Sequence, residues 1–107
     1  MSLLVWVIFI AAAVLEVSGD AIVRTGLRYH QGLTIAGGFL MLGCYGLVVN
    51  MVRWDFSRLL GTYVAIFAAV SVLFGMWVFG ETVPLARWLG LALIIAGGLI
   101  IQFAKGA

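Results

Sequence analysis

This chain predicts an all-α integral membrane fold, a bundle of four transmembrane helices, on three observations. Of its 107 residues, 65% are hydrophobic and 9% charged, against about 25% charged in soluble domains. Mean hydropathy is +1.25. The apolar residues gather into four runs, each close to the ~20 residues of helix that cross a hydrocarbon core, and none alternates polar with apolar as a membrane barrel strand does.

The first run, Leu3 to Val23, carries Glu16 and Asp20. It reads as a helix rather than a secretory signal, because nothing basic precedes it and it continues through both carboxylates instead of ending at a small-residue cleavage site. The second run is Leu33 to Val52, the third Leu59 to Gly80 and the fourth roughly Leu85 to Ala104. These three hold no charge except Arg87, near the start of the fourth. The connections Arg24–Gly32, Arg53–Arg58 and Glu81–Pro84 are too short for a soluble domain, and Pro84 suits the first turn of the last helix. A single transmembrane domain over 1–107 is expected.

Net charge is +2, but the six basic residues are scattered over the helix ends, which argues against a nucleic-acid partner. What matters in a bilayer is the side on which they lie. Arg53, Arg58 and Lys105 fall on the side of the N-terminus; Arg24, Arg28 and Arg87 fall on the other, three against three. This tie removes the positive-inside bias and permits insertion in both orientations. Four helices enclose little space, and pairing with an inverted copy would rebuild the inverted repeat common in transporters. The expected unit is therefore an antiparallel, dual-topology homodimer, the alternative being a topology set by other cues.

Helix one carries the most specific pattern. An ionised carboxylate at mid-membrane costs roughly 2.5–3.5 kcal/mol on insertion scales, so such a group faces a partner, a wet cavity or a bound ion. Glu16, Asp20, Arg24 and Arg28 recur every four residues, a spacing that suggests a column on one helix face. Glu16 is the leading candidate to bind a proton or a cationic substrate, with Asp20 as modulator or outer station. Ser18 and Arg24 form a secondary polar path. The structural alternatives are an Asp20–Arg24 pair one turn apart and arginines that snorkel to the headgroups.

Tyr45 and Tyr63 lie inside helices two and three, where each hydroxyl needs a partner and each ring can hold a cation; they are second-tier binding candidates. Trp54, Trp77 and Trp88 suit interfacial anchoring. Gly90 and Gly97, seven apart and followed by Gly98, read as a small-residue seam for close helix contact, either within the chain or across a dimer. Cys44, the single cysteine, reads as a packing residue, and His30 as a solvated loop residue. The sequence holds no metal-ligand cluster, nucleophile with base or phosphate loop, so neither enzyme activity nor a cofactor or metal is expected.

The stretch Ala13-Val14-Leu15-Glu16-Val17-Ser18-Gly19, and Gly80 leading to Gly90-Leu-Ala-Leu-Ile-Ile-Ala-Gly97-Gly98, give the whole chain a resemblance to the small multidrug resistance transporters of the drug/metabolite transporter superfamily. Helices three and four are also similar to a less characterised group of four-helix inner-membrane proteins. The resemblance implies an antiparallel dimer in the bacterial inner membrane, in which Glu16 of each subunit binds protons and a small or lipophilic cation competitively. It also implies a dimer face at Gly90, Gly97 and Gly98, and a site-lining aromatic at Tyr63. Helix three departs from that family's aromatic and glycine pattern, reading Gly61-Thr-Tyr63-Val-Ala-Ile-Phe67, and Ser18-Gly19 does not match its guanidinium exporters. Two other functions fit the same residues: a non-transporting accessory subunit of a membrane complex, and flipping of a lipid-linked substrate with Arg24 and Arg28 at its phosphate.

Overall fold

The structure is a computed structural model that describes residues 3–104; Lys105, one of the six basic residues, lies outside the described residues. The described residues form four α-helices and no strand: α1 (Leu3–Arg28), α2 (Gly32–Val49), α3 (Phe56–Trp77) and α4 (Leu85–Phe103). Each is long and apolar enough to cross a membrane.

The helix limits depart from the sequence reading where local chemistry intervenes. Arg24 to Arg28 extend α1 by a further turn instead of opening a loop, which leaves a connection of three residues around His30, whose φ of 54° makes the turn. Thr25 supports this turn by donating its hydroxyl to the Ala21 carbonyl at 2.9 Å. α2 stops at Val49 rather than Val52, because Asn50 folds back on the helix end and donates both its backbone N–H (3.3 Å) and its side-chain amide (2.8 Å) to the Gly46 carbonyl. α3 begins at Phe56, so Arg58 belongs to its first turn and not to the preceding loop. Pro84 stands at the N-cap of α4, accepting bonds from the N–H groups of Arg87 and Trp88.

The chain divides into two compact units, Met1–Val52 and Arg53–Ala107. In the first, α1 and α2 run antiparallel along a seam made close by glycine. A Cβ placed on Gly38 would lie 2.5 Å from Val23 Cγ2 and 3.0 Å from the Gly19 carbonyl; one on Gly19 would meet Leu42 at 3.0 Å, and one on Gly26 would meet Ile35 at 2.7 Å. Without hydrophobic pressure between helices in lipid, such backbone-level contact supplies the packing.

In the second unit the close approach lies between α3 and α4. A Cβ on Gly98 would sit 2.7 Å from Ala65 Cβ, and one on Gly61 would sit 2.7 Å from Ile101 Cδ1. The α3–α4 connection is tied down by Glu81, whose N–H donates to the Gly75 carbonyl at 2.9 Å and whose carboxylate lies directly over the Gly75 Cα and 4.0 Å from Arg87. Gly80, at φ +65°, supplies the reversal that brings Glu81 back onto α3. Most large apolar side chains of α4, and Leu33, Phe39, Leu40 and Leu47 of α2, are exposed, as expected of helices whose solvent is lipid.

Candidate functional site

The α1–α2 seam sets the level of the polar residues. Gly26 meets Ile35, Val23 meets Gly38 and Gly19 meets Leu42, equal steps in opposite directions along the two helices. One further step of the same register sets Glu16 opposite Tyr45, and the next sets Ala12 opposite Val49, both of which are buried. Glu16 and Tyr45 are each partly buried, and the Tyr45 phenol lies within electrostatic range of both the Glu16 and the Asp20 carboxylates. A carboxylate and a phenol at mid-helix, flanked by apolar seam residues, can hold a proton, a cation or a hydrogen bond between them.

The rest of the column does not share that position. Each four-residue step overshoots a full helical turn by about 40°, so the row winds away from the seam as it climbs α1. Glu16 is on the seam, Asp20 is exposed beside it, and Arg24 and Arg28 are exposed on the outer face. The expected one-face column is therefore a spiral, with only its deepest member packed against α2. Ser18 is half-buried, next in sequence to the buried Val17 and Gly19.

Tyr63 belongs to the second unit, where it is 2% exposed with its ring 6.3 Å from that of Phe67 and tilted by 36°. Next to it, Thr62 is 3% exposed and its hydroxyl has no hydrogen-bond partner among the described residues. Gly98 packs against α3, whereas Gly90 and Gly97 have open space where a side chain would project. Adjacent residues differ by about 100° around a helix, so Gly97 and Gly98 serve different surfaces.

Sequence reasoning overlooked one polar group. Arg58 Nε donates to Gln102 Oε1 at 3.2 Å, and its guanidinium carbon lies 4.3 Å from the centre of the Trp54 ring. The signal was a lone glutamine near the end of an otherwise apolar helix, four residues past Gly98. No group of three or more His, Cys, Asp or Glu that could hold a metal ion occurs among the described residues.

Four spanning helices with a carboxylate seated in the first define a small multi-pass membrane protein. The family described as "Uncharacterised BCR, YnfA/UPF0060 family" matches residues 2–107. The chain belongs to this family. It is 38% identical over 101 residues to a UPF0060 membrane protein of Mycolicibacterium vanbaalenii, covering 91% of this chain and 92% of the relative. A UPF0060 membrane protein of Mycobacterium marinum is 37% identical over 102 residues (94% and 93% covered), and one of Streptomyces avermitilis 36% identical over 101 residues (91% and 88%). No solved structure matches.

Proposed function

We propose that this protein is a proton-coupled antiporter that exports small or lipophilic cations across the bacterial inner membrane, working as an antiparallel homodimer. The observation that carries this reading is Glu16, partly buried in the α1–α2 seam at the level of Tyr45. A carboxylate held in a spanning helix at that cost has a functional reason to be there. Ionised Glu16 attracts a cation whose apolar body suits the surrounding side chains, and Tyr45 offers a ring face and a hydroxyl beside it. Protonation of Glu16 from the opposite side of the membrane neutralises the attraction and releases the cation. Inversion of the dimer's asymmetry then alternates access.

Three features support the assembly. The basic residues are balanced three against three across the two sides, which removes a fixed orientation. The open positions at Gly90 and Gly97 leave α4 a small-residue surface that α3 does not cover. The resemblance to small multidrug resistance transporters points the same way.

Proton release from the purified protein tests the reading. Quaternary ammonium, guanidinium-type and polyamine cations are added to lightly buffered wild type, Glu16→Gln and Asp20→Asn. Release by wild type and Asp20→Asn, abolished in Glu16→Gln, is the expected result. Absence of release with every compound would favour an accessory subunit or a lipid-handling protein. A cation whose affinity ignored both pH and Glu16 would also rule out the exchange mechanism.

A further inference from the structure

Arg58 is held in a way that a headgroup-seeking arginine is not. Its Nε–H is committed to the Oε1 of Gln102, which is only 8% exposed. One face of the guanidinium lies over the Trp54 ring at 4.3 Å. Gln102 comes from the last turns of α4, whereas Trp54 and Arg58 lie four residues apart where the chain enters α3, so two stretches far apart in sequence hold one cation. Gln102 and Trp54 are the only groups among the described residues that engage Arg58. No carboxylate pairs with it there; Asp55, three residues earlier, does not. Arginine has five N–H donors in a planar fork. With Nε occupied and one face covered, the end-on edge formed by the two Nη groups remains, and that edge matches two oxygens of a phosphate.

The position selects the phosphate. Arg58 stands in the first turn of a helix long and apolar enough to cross a membrane, a position from which an arginine carries its charge to headgroup depth. Trp54 is the residue type that settles at the same level. Arg58 is half-buried, so an anion beside it is screened less than at a fully exposed arginine.

The geometry points to a binding site for the phosphate of an anionic phospholipid, formed by Arg58 and oriented by Gln102 and Trp54. It is independent of the transport reading, since neither Glu16 nor Tyr45 takes part in it.

Native mass spectrometry of the full chain in a neutral detergent tests the assignment, by titration with phosphatidylglycerol, phosphatidylcholine and inorganic phosphate. Wild type is expected to retain phosphatidylglycerol at least tenfold more tightly than phosphatidylcholine. Arg58→Ala should abolish that preference. Arg58→Lys keeps the charge but loses the fork, and should lose most of it, which keeps the site testable even where the alanine variant fails to fold. Gln102→Leu should weaken retention about fivefold with the arginine intact, whereas Arg53→Ala should leave it unchanged. A wild-type protein without preference for phosphatidylglycerol, or an unaltered preference in Arg58→Lys and Gln102→Leu, would overturn the proposal. So would inorganic phosphate competing at equal concentration, which would assign the site to a free anion instead.

Discussion

Glu16 and Tyr45 stand at the same level of one antiparallel helix pair, the carboxylate on α1 and the phenol on α2, in the register set by Gly19 against Leu42 and Val23 against Gly38. Removing the phenol hydroxyl while keeping the ring isolates its contribution. Tyr45→Phe should weaken cation binding by about fivefold, the equivalent of one net hydrogen bond of roughly 1 kcal/mol. Tyr45→Ala should cost more, because the ring goes too. Calorimetric titration with a quaternary ammonium compound reads both; equal losses in the two variants would mean that the ring contributes nothing.

Proton and cation compete for Glu16 in the proposed mechanism, and this determines the sign of the pH response. The cation binds the ionised form, so its affinity is greatest at high pH and falls as Glu16 takes up a proton. In Glu16→Gln the slope should vanish together with binding. Asp20 is exposed beside the seam and not within it, so Asp20→Asn should retain the slope and lower affinity by no more than about threefold. Fluorescent-cation titrations across a pH series distinguish the two carboxylates.

Glycines with and without neighbours should respond oppositely to alanine. At Gly38 an added methyl would meet Val23 Cγ2 at 2.5 Å and backbone atoms of Gly19 and Val23 at 3.0 Å, and backbone cannot step aside. Gly38→Ala should destabilise the α1–α2 unit by about 1–3 kcal/mol. Gly43 and Gly46 have nothing within 4 Å, so alanine there should be neutral or stabilise by up to about 1 kcal/mol through helix propensity. Thermal unfolding in detergent, followed by circular dichroism, orders the three.

The same contrast separates folding from assembly in α4. Gly98→Leu would strike Ala65 and should disrupt the α3–α4 unit, lowering thermal stability in detergent. Gly97→Leu and Gly90→Leu project into open space and should leave the chain's stability within about 1 kcal/mol of wild type. If these positions form the proposed homodimer face, both substitutions should shift sedimentation from dimer toward monomer. Dimers of unchanged strength in both would move the interface elsewhere.

Glu81 offers a test of the α3–α4 connection. Its carboxylate and Arg87 are each about half exposed, with side-chain exposures of 48% and 51%, so the ion pair itself contributes little in water. Glu81→Gln should therefore change stability by less than about 1 kcal/mol. Gly75→Ala places a methyl where that carboxylate rests and should displace the side chain, loosening the turn more than loss of the charge does. Hydrogen exchange at the Glu81 amide, which donates to Gly75, should quicken in Gly75→Ala and remain near wild type in Glu81→Gln.

The membrane class, the four helices and the placement of Glu16 inside an apolar run were legible in the order of residues, because each follows from a local cost. Apolar runs of about 20 residues have one favourable solvent, and an ionised carboxylate within such a run carries a cost of several kcal/mol. Which groups meet depends on rotation and register, and those come only from packing. The four-residue spacing of Glu16, Asp20, Arg24 and Arg28 is shared by a straight column and by a row that winds off the seam; contact of Gly19, Val23 and Gly26 with α2 decided for the second. Gly97 and Gly98 are neighbours in sequence yet face different surroundings, since one residue turns the helix by about 100°. Arg58 looked like a loop charge and Gln102 drew no notice, because their encounter spans 44 positions and no local pattern encodes it. Composition and hydropathy alone determined the solvent of this protein and its costly carboxylate; the tertiary structure decided which side chains share a seam, because that depends on how two helices twist against one another at backbone distance.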